Sequence, residues 1–248
     1  MKITTVFFDL GNTLLYSDVP SPERVQAACK VMANEFAGRG YPVSPEEFAA
    51  KHFENLLKYY DIREQENIEQ GAESVFRQTL ADFGFTGVPE KDIATFLASF
   101  YRTTQGNWHL DEDAISTLEK IIAQQRRIGL ITNAGYAEDI RQLLRKNKLE
   151  PYFSSVVISA EVGFRKPHPE IFQIALRQMG SAPEQSVMVG DSLLADIYGA
   201  SRCGLRSVWF RKYTGDPPDF SRFCHPDHEL FSLRELPEIL EKLETQPD

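Results

Sequence analysis

Thr5-Val6-Phe7-Phe8-Asp9-Leu10-Gly11-Asn12-Thr13-Leu14 is the stretch on which the reading of this chain turns. Val6, Phe7 and Phe8 are consecutive, apolar and of high β propensity, as expected of a strand buried on both faces of a parallel sheet. Asp9 closes the run, and Gly11-Asn12 supplies turn chemistry. A buried strand that ends in a carboxylate delivers it to the edge where open α/β sheets bind ligands. Taken singly, the aspartate serves equally well as the cap of a turn, so the rest of the chain has to decide.

Immediately downstream, from about Ser17 to about Arg102, the pattern is helical with no convincing strand. Val25, Ala28, Met32 and Phe36 share one helical face, as do Ala49, Phe53, Leu56 and Tyr60. Phe76, Leu80 and Phe83 form a third stripe, and Ile93, Phe96, Leu97 and Phe100 a fourth. Gly38-Arg39-Gly40-Tyr41-Pro42 and Phe83-Gly84-Phe85-Thr86-Gly87 interrupt the helices. These apolar stripes read as core rather than as a cofactor box.

Beyond Gly106 strand, turn and helix alternate, which predicts a parallel sheet with right-handed crossovers. A helix over about 111–126 is expected to turn Ile115, Leu118 and Ile122 inward. Arg127–Ile131 is a strand leading into Thr132-Asn133-Ala134-Gly135 and a helix to about Lys146. Val156–Ser159 is the next strand, and Lys166-Pro167-His168-Pro169 opens a helix carrying Ile171, Phe172, Ala175 and Met179. Val187-Met188-Val189 runs into Gly190-Asp191-Ser192 and a short helix to about Ala200. Ser207–Phe210 is the last expected core strand, and Lys212–Asp227, rich in Pro, Asp and Gly, reads as a loop. Ser232-Leu233-Arg234-Glu235 is a capping box opening a terminal helix with Leu233, Leu236, Leu240 and Leu243 aligned.

Composition narrows the function. With 248 residues, 42% of them hydrophobic, the chain has ample material for a core. The net charge of -9 and the lack of a basic stripe argue against nucleic-acid binding. Cys29, Cys203 and Cys224 have neither metal nor redox spacing and read as reduced thiols. The chain starts directly in its first strand without a signal core, and no apolar run approaches membrane-spanning length. The expectation is a soluble, cytoplasmic protein with no membrane partner, monomeric or homodimeric.

Four strand ends carry polar residues in apolar surroundings: Asp9, Thr132, the Lys166 region and Asp191. Parallel strands place all their C-termini on one edge, so these residues can converge. Two carboxylates near one point repel unless a cation lies between them, and oxygen ligands suit Mg²⁺ completed by a substrate phosphate. Lys166 adds positive charge, Thr132 a hydroxyl, and the amides of Asn133 and Ala134 are expected to open an anion-favouring helix N-terminus. The set points to phosphoryl transfer through an aspartyl-phosphate. Taken singly, Thr132 is an ordinary strand-end hydroxyl, Lys166 a solvated lysine and Asp196 a helix-dipole acid.

Taken together and in this order, these residues resemble the motifs of the haloacid dehalogenase-like (HAD) superfamily of hydrolases. They are Asp9 in Phe8-Asp9-Leu10-Gly11-Asn12-Thr13-Leu14, Thr132 in Gly129-Leu130-Ile131-Thr132-Asn133, Lys166-Pro167, and Gly190-Asp191 with Asp196 following. The resemblance spans nearly all of the chain. It implies a Rossmann-like α/β core over 1–16 and 103–248, with helices on both faces of the sheet. An all-helical cap is implied over 17–102. It also implies a Mg²⁺-dependent phosphatase of a small phosphorylated metabolite. Asp9 would be nucleophile and metal ligand, with the Gly11 carbonyl and Asp191 completing the metal set. Thr132 and Lys166 would hold the phosphoryl oxygens, with Asn12 and Asn133 as further phosphate-binding candidates. Asp196 would orient metal waters or Lys166.

One position departs from the family pattern. The residue two after the nucleophile is usually a second aspartate acting as general acid and base, and here it is Gly11. Such a group is typically worth about 10²–10⁴-fold. Three resolutions stay open: a leaving group that needs little protonation, a substitute donor such as Asn12, a cap residue or a water, or a weakly active or non-catalytic binding member. Related dehalogenases also lack this aspartate, and phosphonate-cleaving members need a cap lysine, for which Lys51 and Lys58 are the candidates. Lys51, His52, Lys58 and Arg63 are candidates to meet a substrate, although a solvated helix face explains them equally well. Trp108-His109 reads as packing at the return from the cap, with His109 a minor candidate to reach the site.

Overall fold

The computed structural model describes residues 2–214 and 224–245. Its centre is β1 (Thr5–Phe8), all four residues of which are buried. β1 lies between β4 (Arg127–Thr132) and β6 (Ser186–Gly190), each paired with it in parallel. β5 (Ser155–Ile158) extends the sheet beyond β4, and β7 (Arg206–Phe210) and β8 (His228–Leu230) extend it beyond β6. Every pairing in this six-stranded sheet is parallel.

Alternation along β1 divides the core. Val6 and Phe8 face a cluster with Leu118 and Ile121 of α5 (Ala114–Ala123), Ile140, Leu143 and Leu144 of α6 (Ala137–Lys146), and Leu240 and Leu243 of α10 (Leu236–Thr245). Phe7 faces the opposite cluster, with Ile171, Phe172, Ala175 and Met179 of α8 (Pro169–Met179). Side chains of period two on a strand sandwiched by helices produce this doubly covered sheet.

Local chemistry fixes the helix ends. α8 starts at Pro169, with the His168 ring accepting from the Glu170 amide, and stops at Gly180 in the left-handed region. Ser232 and Glu235 form the expected reciprocal capping box. A short α7 (Ser159–Val162) follows β5, and α9 (Gly199–Ser201) follows a π-helical segment, Leu193–Tyr198.

Between β1 and β4 the chain forms α1 (Ser21–Gly38), α2 (Pro45–Glu66), α3 (Ala72–Asp82) and α4 (Glu90–Gln105). These four helices enclose their own hydrophobic cluster, in which Phe36 stacks on Phe48 and meets Phe96 edge-on. The segment after α2 is stitched to loops of the sheet by backbone hydrogen bonds. Glu69 N donates to Gly163 O at 2.9 Å, Arg165 N to Asn67 O at 3.1 Å and Ala72 N to Gly135 O at 2.6 Å.

Several details differ from the sequence reading. A two-stranded antiparallel ribbon joins β2 (Leu15–Ser17) to β3 (Trp108–Leu110) at the entry and exit of the helical insertion. Three residues carry too little periodicity to announce a strand. β8 was likewise unmarked, and it follows the expected loop, of which residues 215–223 lie outside the described residues. α5 begins at Ala114 and is rotated, so Ile121 is buried while Ile122 is exposed. Both isoleucines satisfy a helical period with Leu118, and packing against the sheet and α10 chose between them.

Candidate active site

The loop after β1 places Asp9 at the C-terminal edge of the sheet. Its amide still donates to Val189 O at 2.9 Å, so the carboxylate leaves from the strand's own register. The chain then reverses, with Leu14 and Leu15 amides donating to Leu10 O and Asn12 in the left-handed region at φ 55°. Asparagine is among the few residues that adopt this conformation at small cost.

Lys166 crosses to Asp9 from the loop before α8. Its Nζ donates to Asp9 Oδ1 at 2.7 Å, to Asp196 Oδ1 at 2.6 Å and to Ile131 O at 2.7 Å. All three ammonium protons are therefore directed inside the protein. The Lys166 backbone is clamped by Asn133, whose Oδ1 accepts from Lys166 N at 2.8 Å and whose Nδ2 donates to Lys166 O at 2.9 Å. Asn133 thus holds the loop that presents the lysine.

Asp196 sits in the π-helical segment after β6. Its second oxygen, Oδ2, accepts from Ser192 N at 2.9 Å. Gly190 makes room for it: a Cβ there would stand 2.3 Å from Asp196 Cγ. Trp209 of β7 donates from Nε1 to Asp191 O at 2.7 Å, fixing the loop that carries Asp191. The Asn12 side chain lies on the same cavity wall as Asp191.

Asp9, Asp191 and Asp196 each offer a carboxylate oxygen, and these three atoms lie within 4.8 Å of one another. One ammonium faces three carboxylates, an excess of about two negative charges in a buried site. This crowding displaces the pKa of Asp9 and of Asp191. Burial, with Asp196 adding to it and Lys166 opposing it, pushes Asp9 up to about 6. Burial and then the charges of Asp9 and Asp196 push Asp191 up to about 8. Burial opposes the Lys166 ammonium, but Asp196 and Asp9 more than offset it and hold the group above its ordinary value. An all-oxygen set with a charge deficit of two fits a hard divalent cation such as Mg²⁺.

Above this cluster lies a cavity of about 490 Å³, which Thr132, Asn12, Asn133 and Gly11 also line. Its remaining wall comes largely from the helical insertion and from β3, including Arg24, Tyr59, Arg63, Tyr101 and Trp108. The Ala134 amide does not face an anion site; it donates to Ser159 Oγ at 2.8 Å, and α6 starts only at Ala137.

Among the other candidates, Arg63 alone lines the cavity. His52 is buried inside the helical insertion, where its Nδ1 pairs with Thr79 Oγ1 at 2.9 Å. Lys51 and Lys58 both pair with Glu54 on the surface, and Lys166 is the one lysine among the described cavity residues. A Schiff-base lysine from the helical insertion is therefore absent among them. His109 lies outside the cavity near Asp18, whereas its neighbour Trp108 packs over Gly11 and stacks against Arg24. Sequence reasoning did not single out Arg165 or Trp209; adjacency to Lys166 was the one available signal for the former.

This site and this sheet define a haloacid dehalogenase-like hydrolase. The model of that family matches residues 43–210, about two thirds of the chain, and the chain belongs to the family. It is 28% identical over 247 residues to the glyceraldehyde 3-phosphate phosphatase of Pyrococcus furiosus, covering 99% of this chain and 95% of that protein. Over 66% of this chain and 63% of the relative it is 37% identical to the phosphoserine phosphatase of Thermus thermophilus. Among solved structures, the 2-haloacid dehalogenase of Pseudomonas syringae pv. Tomato superposes with a TM-score of 0.71 at 27% identity, covering 97% of this chain and 99% of that one.

Proposed function

We propose that the protein is a Mg²⁺-dependent phosphomonoesterase that hydrolyses a small phosphorylated metabolite through an aspartyl-phosphate on Asp9. The observation that carries this reading is the convergence of Asp9, Lys166, Asp191 and Asp196 beneath the cavity, with negative charge in excess of the single ammonium. Phosphatases among the relatives support it. Halide displacement needs no cation, so the same charge excess speaks against that alternative.

In this reading residues 17–102 are the cap and 1–16 with 103–248 the catalytic core. Asp9, Asp191 and the Gly11 carbonyl would hold Mg²⁺, which when bound would neutralise the carboxylates and draw charge from the phosphoryl oxygens. A carboxylate oxygen of Asp9 attacks phosphorus, the P–O bond to the leaving group breaks, and the departing oxygen takes a proton. Gly11 carries no acid, so that proton comes from water or from another donor in the cavity. The Thr132 hydroxyl binds the phosphoryl oxygens, and Lys166 joins it by exchanging its bond to Asp9 Oδ1 for a phosphoryl oxygen when substrate enters, with Asn12 and Asn133 shaping the same rim. Asp196 keeps the Lys166 ammonium charged and aimed. Water then attacks phosphorus, the bond to the Asp9 oxygen breaks to regenerate the carboxylate, and inorganic phosphate leaves, the water's proton passing to the phosphate or to solvent.

The test is hydrolysis of an aryl phosphate with and without Mg²⁺, in wild type and Asp9→Asn. Metal-dependent turnover that the substitution abolishes is expected; turnover surviving in Asp9→Asn would refute the assignment.

A further inference from the structure

One carboxyl in the cavity lies outside the cluster around Lys166. Asp139 stands in the first turn of α6, and Asp139, Ile140 and Leu143 are the part of the cavity wall that this helix supplies. Ile140 and Leu143 belong to the apolar cluster that also contains Leu15 and packs against Trp108, two further residues of the wall. Asp139 is only 9% exposed. Its Oδ1 accepts from Nε2 of Gln105, the last residue of α4, at 2.8 Å, and the same amide reaches Gln142 Oε1 at 3.1 Å. Oδ2 has no partner among the described residues, yet it is not sealed in. Since the residue is otherwise enclosed and lines the cavity, that oxygen opens there.

A structural role does not account for this carboxyl. No backbone amide donates to it, so it does not cap its own helix. No cation balances it either. Lys146 turns its ammonium to Gln105 O at 3.4 Å, while Arg141 and Arg145 pair with Glu161 and Glu138. Burial, opposed only by the Gln105 amide, pushes the group up to about 7. A buried carboxyl without a counter-charge is costly to keep, and such groups in clefts concentrate where ligands are met. Gln105 holds Oδ1, so Oδ2 is presented in a fixed direction before any ligand arrives.

We propose that Asp139 Oδ2 hydrogen-bonds a hydroxyl or ammonium group of the substrate, so that the preferred esters are those of small diols or amino alcohols. The proposal rests on the phosphatase reading for the placing of the phosphate, and the contact itself is measurable without turnover. The scissile phosphate takes the Asp9 end, and both residues line one cavity of about 490 Å³, of the size that encloses a small ligand. A neutral carboxyl exchanges a hydrogen bond with a hydroxyl, and a carboxylate accepts from either group.

The experiment compares butyl, 3-hydroxypropyl and 3-aminopropyl phosphate, which match in heavy atoms and differ in the terminal group, together with the set one carbon shorter. With Mg²⁺, wild type is expected to favour the hydroxyl or the ammonium ester over the alkyl ester by about tenfold or more in kcat/KM at one chain length, and which one identifies the group. Asp139→Leu should reduce that ratio to below about threefold. Asp139→Asn keeps the shape and the bond from Gln105, so it should retain most of a hydroxyl preference and lose an ammonium preference. Equal kcat/KM within both sets in wild type would overturn the contact. So would a preference that survives in Asp139→Leu, because a purely structural role lowers activity on every ester alike. Should Asp139→Leu fail to fold, the Asp139 carboxyl ¹³C resonance, assigned by its loss in Asp139→Asn, decides. It should move when the favoured ester's phosphonate analogue binds and stay with butylphosphonate; an unmoved resonance would overturn the contact. If no ester is hydrolysed, the phosphatase reading fails and calorimetric binding decides. 3-Hydroxypropylphosphonate or 3-aminopropylphosphonate should then bind about tenfold tighter than butylphosphonate, a difference lost in Asp139→Leu, and equal binding would overturn it.

Discussion

The Trp108 indole stands 3.2 Å from the point where a Cβ on Gly11 would lie. The space that a side chain at position 11 would enter is therefore crowded by a residue of the β2–β3 ribbon. Gly11 and Trp108 act as one unit, and neither substitution can be read without the other.

Gly11→Asp by itself is expected to bring no gain in hydrolysis of unactivated alkyl phosphates, because its side chain meets the indole. Gly11→Asp combined with Trp108→Ala frees the space and should raise kcat on alkyl esters about tenfold or more, within the about 10²–10⁴-fold range of a general acid. Activated aryl esters, whose leaving groups need little protonation, should change far less. Steady-state kinetics on both ester types across the two-mutation cycle measures this. A large gain in the single variant would contradict the steric coupling.

Lys166→Met should destabilise the protein strongly. It removes the cation that Asp9 and Asp196 share at 2.7 and 2.6 Å. Removing one partner of a buried ion pair costs about 3–5 kcal/mol, because the remaining charge is left uncompensated. Urea unfolding should show that loss, and Mg²⁺ should stabilise the variant more than it stabilises wild type. A wild-type midpoint in the absence of metal would argue that the cluster is not ionised as described.

Gly190→Ala tests the floor of the site. The added Cβ would stand 2.3 Å from Asp196 Cγ, so Asp196 has to move and Lys166 loses its second carboxylate. Overpacking of this kind costs about 1–3 kcal/mol. Aryl phosphate turnover should fall by about an order of magnitude or more, whereas a variant with unchanged kcat would show that Asp196 does not position the lysine.

His52 gives the helical insertion an acid sensitivity. Burial pushes its ring down to about 3, so below the ordinary histidine value the unfolded chain takes up a proton that the folded chain refuses. The sign is loss of stability as pH falls from 6.5 toward about 3, with the contribution intact above 6.5. At pH 5 the cost is about 2 kcal/mol. His52→Asn removes this linkage, so its unfolding free energy should fall less than that of wild type between neutral pH and about pH 5. Equal losses in the two proteins would show that the ring is accessible to protons when folded.

Most of the sheet was legible because β1, β4 and β6 are uninterrupted apolar runs that end in polar residues, and a parallel sheet gathers such ends at one edge. The helical insertion was legible for a different reason: Val25, Met32, Phe36, Ile93 and Phe96 repeat at a helical period and pack on one another. What failed was short or locally degenerate. β2, β3 and β8 are three residues each, and Ile121 and Ile122 fit one helix equally well until α10 and the sheet select a face. Asn133 lines the cavity as expected of a rim residue, and its side chain has a further task that no local pattern announced, the clamping of the Lys166 backbone.

The order of chemical groups along the chain determined the fold class, the edge of the sheet at which they meet, and the charge each one brings. Those properties follow from local propensity and from the period of side chains on strands and helices, both of which are written residue by residue. Which of Lys166's three protons serves which acceptor, the close approach of Trp108 to Gly11, and the pairing of Arg63 and Arg165 around Glu69 were decided only by tertiary structure. Each of these is a distance between groups far apart in the chain, and such distances are set by the packing of whole elements, on which no local pattern reports.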